Sequence, residues 1–136
     1  MKALQARDII FDVVNDYALA QTPAIAVKWP DTAFDKPAAA PYFDTAIRHA
    51  TSPQASLADS SGARIWENAG VCSVTVNVPI ARGLQLGYTH GQGLIDAFRA
   101  YRGSVWFRNI RLRELGSEGG FERIQVLTDF EYRDIS

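Results

Sequence analysis

Few residues in this chain are of a type that makes or breaks bonds, and their spacing gives them little to work with. There are two histidines, His49 and His90, and one cysteine, Cys72. Nucleophilic catalysis needs a nucleophile within reach of an oriented base, yet no serine sits in a Gly-x-Ser-x-Gly elbow and neither histidine has the context of a general base. His90 reads as a polar residue at the start of a helix and His49 as the exposed end of a strand. Cys72, in a valine-rich run, reads as a packed and inert thiol. One cysteine closes no intramolecular disulfide and supplies no Cys-rich zinc site, and two distant histidines leave a metal without closely spaced ligands. No catalytic residue, cofactor or metal is expected.

The glycines Gly83, Gly87, Gly91 and Gly93 invite comparison with a phosphate-binding loop, because backbone amides before a helix can hold an anion. The run lacks a Lys-Ser or Lys-Thr after its last glycine and lacks Gly-x-Gly-x-x-Gly spacing, so both the ammonium group and the close pyrophosphate approach are missing. A flexible strand-to-helix connection is the simpler reading. The alternative function is a small intracellular enzyme or ligand-binding α+β domain that uses the segment Gly83–Gly93 together with His90.

Charge is arranged in two notable ways. Asp8, Asp12 and Asp16 recur every four residues and form the solvated face of an amphipathic helix. Arg99, Arg102, Arg108, Arg111 and Arg113 place five guanidinium groups within fifteen residues that contain no acid. They read as outer residues of a helix and a strand, paired across a hairpin with Glu114, Glu118, Glu122, Asp129 and Glu131. The other reading is contact with an acidic partner. Trp29, Trp66 and Trp106 add aromatic area of the kind that is enriched, like arginine, at assembly interfaces.

The elements that must position these residues follow from periodicity. The 136 residues carry a formal charge of −1, with 47% hydrophobic and 21% charged residues, the profile of one folded domain over 1–136. That balance removes a whole-protein electrostatic case for nucleic acid or an anionic membrane. No apolar run approaches the roughly 20 residues that span a bilayer, and the early aspartates interrupt any signal-peptide core. An intracellular product without membrane or sequence-specific nucleic-acid partners is expected.

An amphipathic helix is predicted over Lys2–Ala20, with Ala6, Ile10, Val13 and Tyr17 on one apolar stripe and Leu4, Phe11, Val14 and Ala18 beside it. Pro23 ends it. Strands are predicted over Ala24–Trp29, Tyr42–Ala50 and Arg64–Pro79, the last from the alternation of Val74, Val76 and Val78 with Ser73, Thr75 and Asn77. Loops fill Asp31–Pro41 and Thr51–Ala63, the second a mobile excursion. A second helix is expected to open on a Thr89/Gln92 capping box and to close on a left-handed Gly103. A hairpin follows, with arms Ser104–Leu115 and Phe121–Arg133 around Gly116–Gly120; Ile124, Val126, Phe130 and Tyr132 share one parity, interrupted only by Thr128, and face inward. The order is α-β-β-β-α-β-β: an α+β fold in which two helices pack on a mainly antiparallel sheet.

The stretch Thr22-Pro23-Ala24-Ile25-Ala26-Val27-Lys28-Trp29-Pro30 is followed by Pro41-Tyr42-Phe43 and then by Gly70-Val71-Cys72-Ser73-Val74-Thr75-Val76-Asn77-Val78-Pro79. With the Gly-rich approach to Ile95-Asp96-Ala97-Phe98, these segments resemble in order the tail terminator-like, or tail completion, proteins of long-tailed bacteriophages. The resemblance implies a structural virion protein: a homo-oligomeric ring, hexameric in that family, at the head-proximal end of the tail. Such a ring caps the tail tube, stops its polymerisation and meets the head-tail connector or head completion protein, with DNA passing through its lumen. It also implies residence in the host cytoplasm during assembly, and no catalysis. The loops Asp31–Pro41 and Thr51–Ala63 are candidate docking segments. Arg99, Arg102, Trp106, Arg108, Arg111, Arg113 and Glu118 form the candidate assembly interface.

Overall fold

A computed structural model describes residues 2–30, 32–37, 39–51 and 65–135. Helix α1 (Ala3–Ala20) buries Ala6, Ile10, Phe11, Val14 and Ala18. These positions recur at three- and four-residue intervals, so one stripe faces the protein and Asp8, Asp12 and Asp16 face water. Leu4 does not join the stripe as expected; it is 63% exposed, because it lies one turn before Asp8, in line with the aspartates on the solvated face. At the start of the helix the Lys2 backbone N–H donates to Gln5 Oε1 at 2.8 Å. The helix stops before Pro23, whose ring disfavours helical geometry in its predecessor.

Strand β1 (Ala26–Lys28) is shorter than predicted and runs parallel to β2 (Tyr42–Thr51). β2 pairs antiparallel with β3 (Ile65–Pro79), which pairs antiparallel with β5 (Phe121–Ile135). β4 (Trp106–Glu118) pairs with β5 on its far side, giving the sheet order β1-β2-β3-β5-β4. The alternation read from sequence places Cys72, Val74, Val76 and Val78 on the same face as Phe43 and Thr45 from β2, and Ile124, Val126, Thr128, Phe130 and Tyr132 from β5, all buried. Both helices lie on this face, and their apolar stripes complete the core. Buried hydroxyls are satisfied within it: Thr45 Oγ1 donates to the Lys28 carbonyl at 2.9 Å and Thr128 Oγ1 to the Asp129 carbonyl at 3.1 Å.

The second helix differs from expectation. After a single 3-10 turn (Ile80–Arg82), α2 runs from Leu84 to Ala100 and takes Gly87, Gly91 and Gly93 into its body. The Thr89/Gln92 capping box is therefore absent: Thr89 Oγ1 donates back to the Gln85 carbonyl at 3.0 Å, and Gln92 Nε2 donates to Asp96 Oδ1 one turn on at 2.9 Å. The glycines serve close approach. A Cβ on Gly87 would meet Ile124 Cδ1 at 3.0 Å, one on Gly91 would meet Leu112 Cδ1 at 2.9 Å, and one on Gly93 would collide with the Tyr17 ring. Spacing by four aligns Gly87 and Gly91 toward the hairpin, while Gly93 faces α1. Gly103 is not left-handed; the helix closes on an extended Tyr101.

The hairpin arms are longer than predicted. Only Gly119 and Gly120 form the turn, at φ 60° and 84°, the left-handed pair that a tight two-residue connection requires. Gly116, at φ 82°, sits instead in a register shift of β4 between Glu114 and Gly116. The loop before β2 is not loose along its whole length: Phe34 packs on Tyr42 with centroids 5.4 Å apart, and the Lys36 ammonium lies 4.5 Å from the Phe121 ring centre. Beyond Thr51, the excursion expected over Thr51–Ala63 lies outside the described residues.

Candidate assembly surface

Of the three residues whose types could carry chemistry, His90 and Cys72 are committed to the core. His90 is not at a helix start but mid-helix and 8% exposed, its Nδ1 3.1 Å from the Tyr17 hydroxyl. Burial lowers the His90 pKa below its ordinary value, favouring the neutral ring. Burial, and then the Asp96 carboxylate, raise that of Tyr17. Cys72 is buried and desolvation pushes its thiol up to about 12, so the nucleophilic thiolate is suppressed. His49 is exposed at the end of β2 as expected, and its Nε2 lies 2.7 Å from the Tyr132 hydroxyl. Among the described residues no three His, Cys, Asp or Glu side chains gather as a metal site. The Gly83–Gly93 segment is no open phosphate loop, since the helix begins at Leu84 and its glycines face packed side chains.

The arginines divide into two groups. Arg108, Arg111 and Arg113 lie along β4, opposite Asp129, Leu127 and Gln125 of β5. These β5 positions point away from the helices, so the three guanidinium groups share the sheet face opposite them. A strand of strict alternation would put Arg108 and Arg111 on opposite faces; the register shift between them, with Asn109 at φ 53°, restores a common one. The predicted cross-hairpin pairing is realised for two of them. Arg108 reaches Glu131 at 3.6 Å and Arg111 reaches Asp129 at 3.3 Å. Glu118 pairs with Arg123 at 2.7 Å instead of with any of the five. These contacts are solvent-exposed and weigh little for stability.

Arg99 and Arg102 stand at the end of α2. The Arg102 guanidinium donates to the Arg99 carbonyl at 2.6 Å and the Tyr101 carbonyl at 2.9 Å, filling acceptors that a helix end leaves free. Together with Trp106 they border a cavity of about 360 Å³ whose walls include Phe98, Tyr101, Val105, Phe107 and Ile110. Trp106 is 44% exposed. It also borders a second, polar hollow with Glu67, Arg108, Glu131 and Arg133, and the Arg133 guanidinium lies 5.7 Å from its ring centre. The structure thus brings Arg99, Arg102, Trp106 and Arg108 to one end of β4 and continues through Arg111 and Arg113. Glu118 is left at the hairpin tip, roughly 40 Å along the strand from Trp106 at about 3.3 Å per residue.

The cavity was not foreseen from sequence; its signal was Phe98 and Tyr101 three residues apart at a helix end, followed by alternating Val105 and Phe107. Trp66 lies half-buried on β3, and Trp29 packs against Phe11 with centroids 5.0 Å apart.

Residues 10–103 match the family model described as phage tail terminator protein, a span from within α1 to just past α2. The chain belongs to the phage tail terminator family. This terminator is therefore a structural component of a phage tail, associated with the virion and built to contact other tail and head components. Among solved structures, one chain is similar over 97% of the terminator and 96% of its own length, with a TM-score of 0.69 at 20% identity, a likeness of fold. No curated protein matches. Among the terminator's described residues no helix is long and apolar enough to cross a membrane. The family match stops at Gly103, so it includes Arg99 and Arg102 but none of the hairpin.

Proposed function

We propose that the terminator, with residues 1–136 acting as one domain, closes into a ring that caps the head-proximal end of the tail tube. The ring stops tube growth and offers a surface to the head-tail connector or head completion protein, and DNA passes through its lumen. Six copies are expected from the family resemblance. No bond-making step is required of the chain.

The observation that carries the subunit contact is the free margin at β4. Among the described residues this 13-residue strand pairs with β5 on one side only, and it is the last strand of the sheet. Natural sheets guard such edges with bulges and charge, and β4 carries two register shifts and three outward arginines. An exposed tryptophan among arginines is an unusual element in that guard and the composition favoured at interfaces. Arg99, Arg102, Trp106, Arg108, Arg111 and Arg113 are assigned to this contact, with Glu118 at the hairpin tip reaching further from the subunit. The segments 31–41 and 51–63 are assigned to docking on tube or connector.

Sedimentation and negative-stain microscopy, with and without polymerised tail-tube protein, test this reading. Rings in solution or at tube ends are expected. A particle that stays monomeric in both conditions and leaves tube ends bare would overturn it.

A further inference from the structure

The β4 end holds a cavity with an apolar floor and a basic rim, and the opposite margin of the molecule carries a helix face of the reverse character. The floor is formed by side chains such as Phe98, Val105 and Ile110, and the rim by Arg99 and Arg102. Neither rim arginine forms an ion pair with a described residue. On α1, Asp12, Asp16 and Leu19 stand at i, i+4 and i+7, along one outer face roughly 10 Å long. Leu19 is 62% exposed, and neither aspartate forms an ion pair with a described residue.

An exposed leucine that follows two carboxylates along one helix face complements an apolar hollow bordered by two guanidinium groups. Helix faces dock into apolar grooves by such anchors. α1 lies toward the β1 margin, where Phe11 meets Trp29, and the cavity lies at the β4 margin, at the other end of the sheet order. The α1 face of one chain therefore does not reach its own cavity. Two distinct patches on opposite margins make a head-to-tail contact, which closes into a ring when the rotation permits.

We infer that the cavity between the end of α2 and the start of β4 receives α1 of a second copy, with Leu19 in the hollow and Asp12 and Asp16 against Arg99 and Arg102. This inference rests on the proposed ring and specifies its two faces.

Charge exchange tests it. R99E/R102E sets acid against acid, and D12R/D16R sets base against base, so each variant alone is expected to lose assembly. An equal mixture is expected to regain it, because alternating subunits restore opposite charges at every contact. Leu19→Ala is expected to weaken assembly about tenfold or more, from the loss of one buried leucine. Thermal melts of each variant verify folding, and R99E alone spares the Arg102 bonds to the helix end. Variants that assemble singly as the wild type does, or fail to complement when mixed, overturn the inference while the ring reading stands. Intact R99E/R102E rings that no longer hold tube ends would assign the cavity to the tube protein and also overturn it. Absence of wild-type rings, alone and on tubes, overturns the ring itself.

Discussion

The buried His90 makes stability depend on pH in a direction that can be worked out. Its folded-state pKa is lowered by burial, and its Nδ1 lies 3.1 Å from the Tyr17 hydroxyl. Unfolding releases it to an ordinary value near 6.5. Between those two values the unfolded chain binds the extra proton, so stability is fully present above about pH 6.5 and falls as the pH drops toward the folded-state pKa. Across that window the loss approaches 1.4 kcal/mol per pH unit, the limit for one proton. For a chain of this length that is about 5 °C in Tm per unit. The assay is thermal unfolding by circular dichroism from pH 7.5 to 5.5, for the wild type and His90→Gln, which keeps a polar partner for Tyr17 without titrating there. The wild type should lose Tm faster than the variant on acidification. Parallel slopes, or a steeper slope in His90→Gln, would refute the assignment of a buried neutral imidazole.

Other consequences are as direct. Gly93→Val should destabilise by about 1–3 kcal/mol, read in urea unfolding, because its side chain enters the space of the Tyr17 ring; an unchanged midpoint would mean the helices are less close. Phe130→Ala removes a fully buried ring and should cost about 3–5 kcal/mol in the same assay. Gly120→Ala should cost about 1 kcal/mol or more, since alanine must adopt φ 84° at the hairpin turn. Cys72 should resist a disulfide reagent at pH 8 in the native state and react rapidly in denaturant, its thiol being buried and pushed up to about 12; rapid native labelling would contradict the packing.

The fold was legible wherever one face of an element is apolar and the other is not. The valine alternation of β3, the inward set of β5 and the stripe of α1 each place a buried face that the structure reproduces. The start of α2 was misread because glycine is both a loop residue and the residue of closest helix packing. Gly87 and Gly91, one turn apart, were the sign of the second role, and only the proximity of Ile124 and Leu112 makes it decisive. His90 was misplaced as a consequence: once Leu84 begins the helix, it falls one turn before the buried Leu94, on the inner face. The arginine-rich segment was visible as composition, but its division was not. The register shift after Arg108 is set by Asn109 in a left-handed conformation, which carries no periodic signal. For the cavity at the end of α2, the spacing of Phe98, Tyr101, Val105 and Phe107 signals apolar side chains only; the hollow itself depends on how the helix meets β4, a tertiary relation.

The central claim is that this phage tail terminator acts by capping a tube, and tube growth measures that directly. Tail-tube protein polymerised with increasing amounts of the terminator should give progressively shorter tubes by electron microscopy, each carrying a ring at one end. R99E/R102E should leave lengths as they are without the terminator. Tubes of unchanged length and bare ends at every ratio of wild-type terminator would contradict the account.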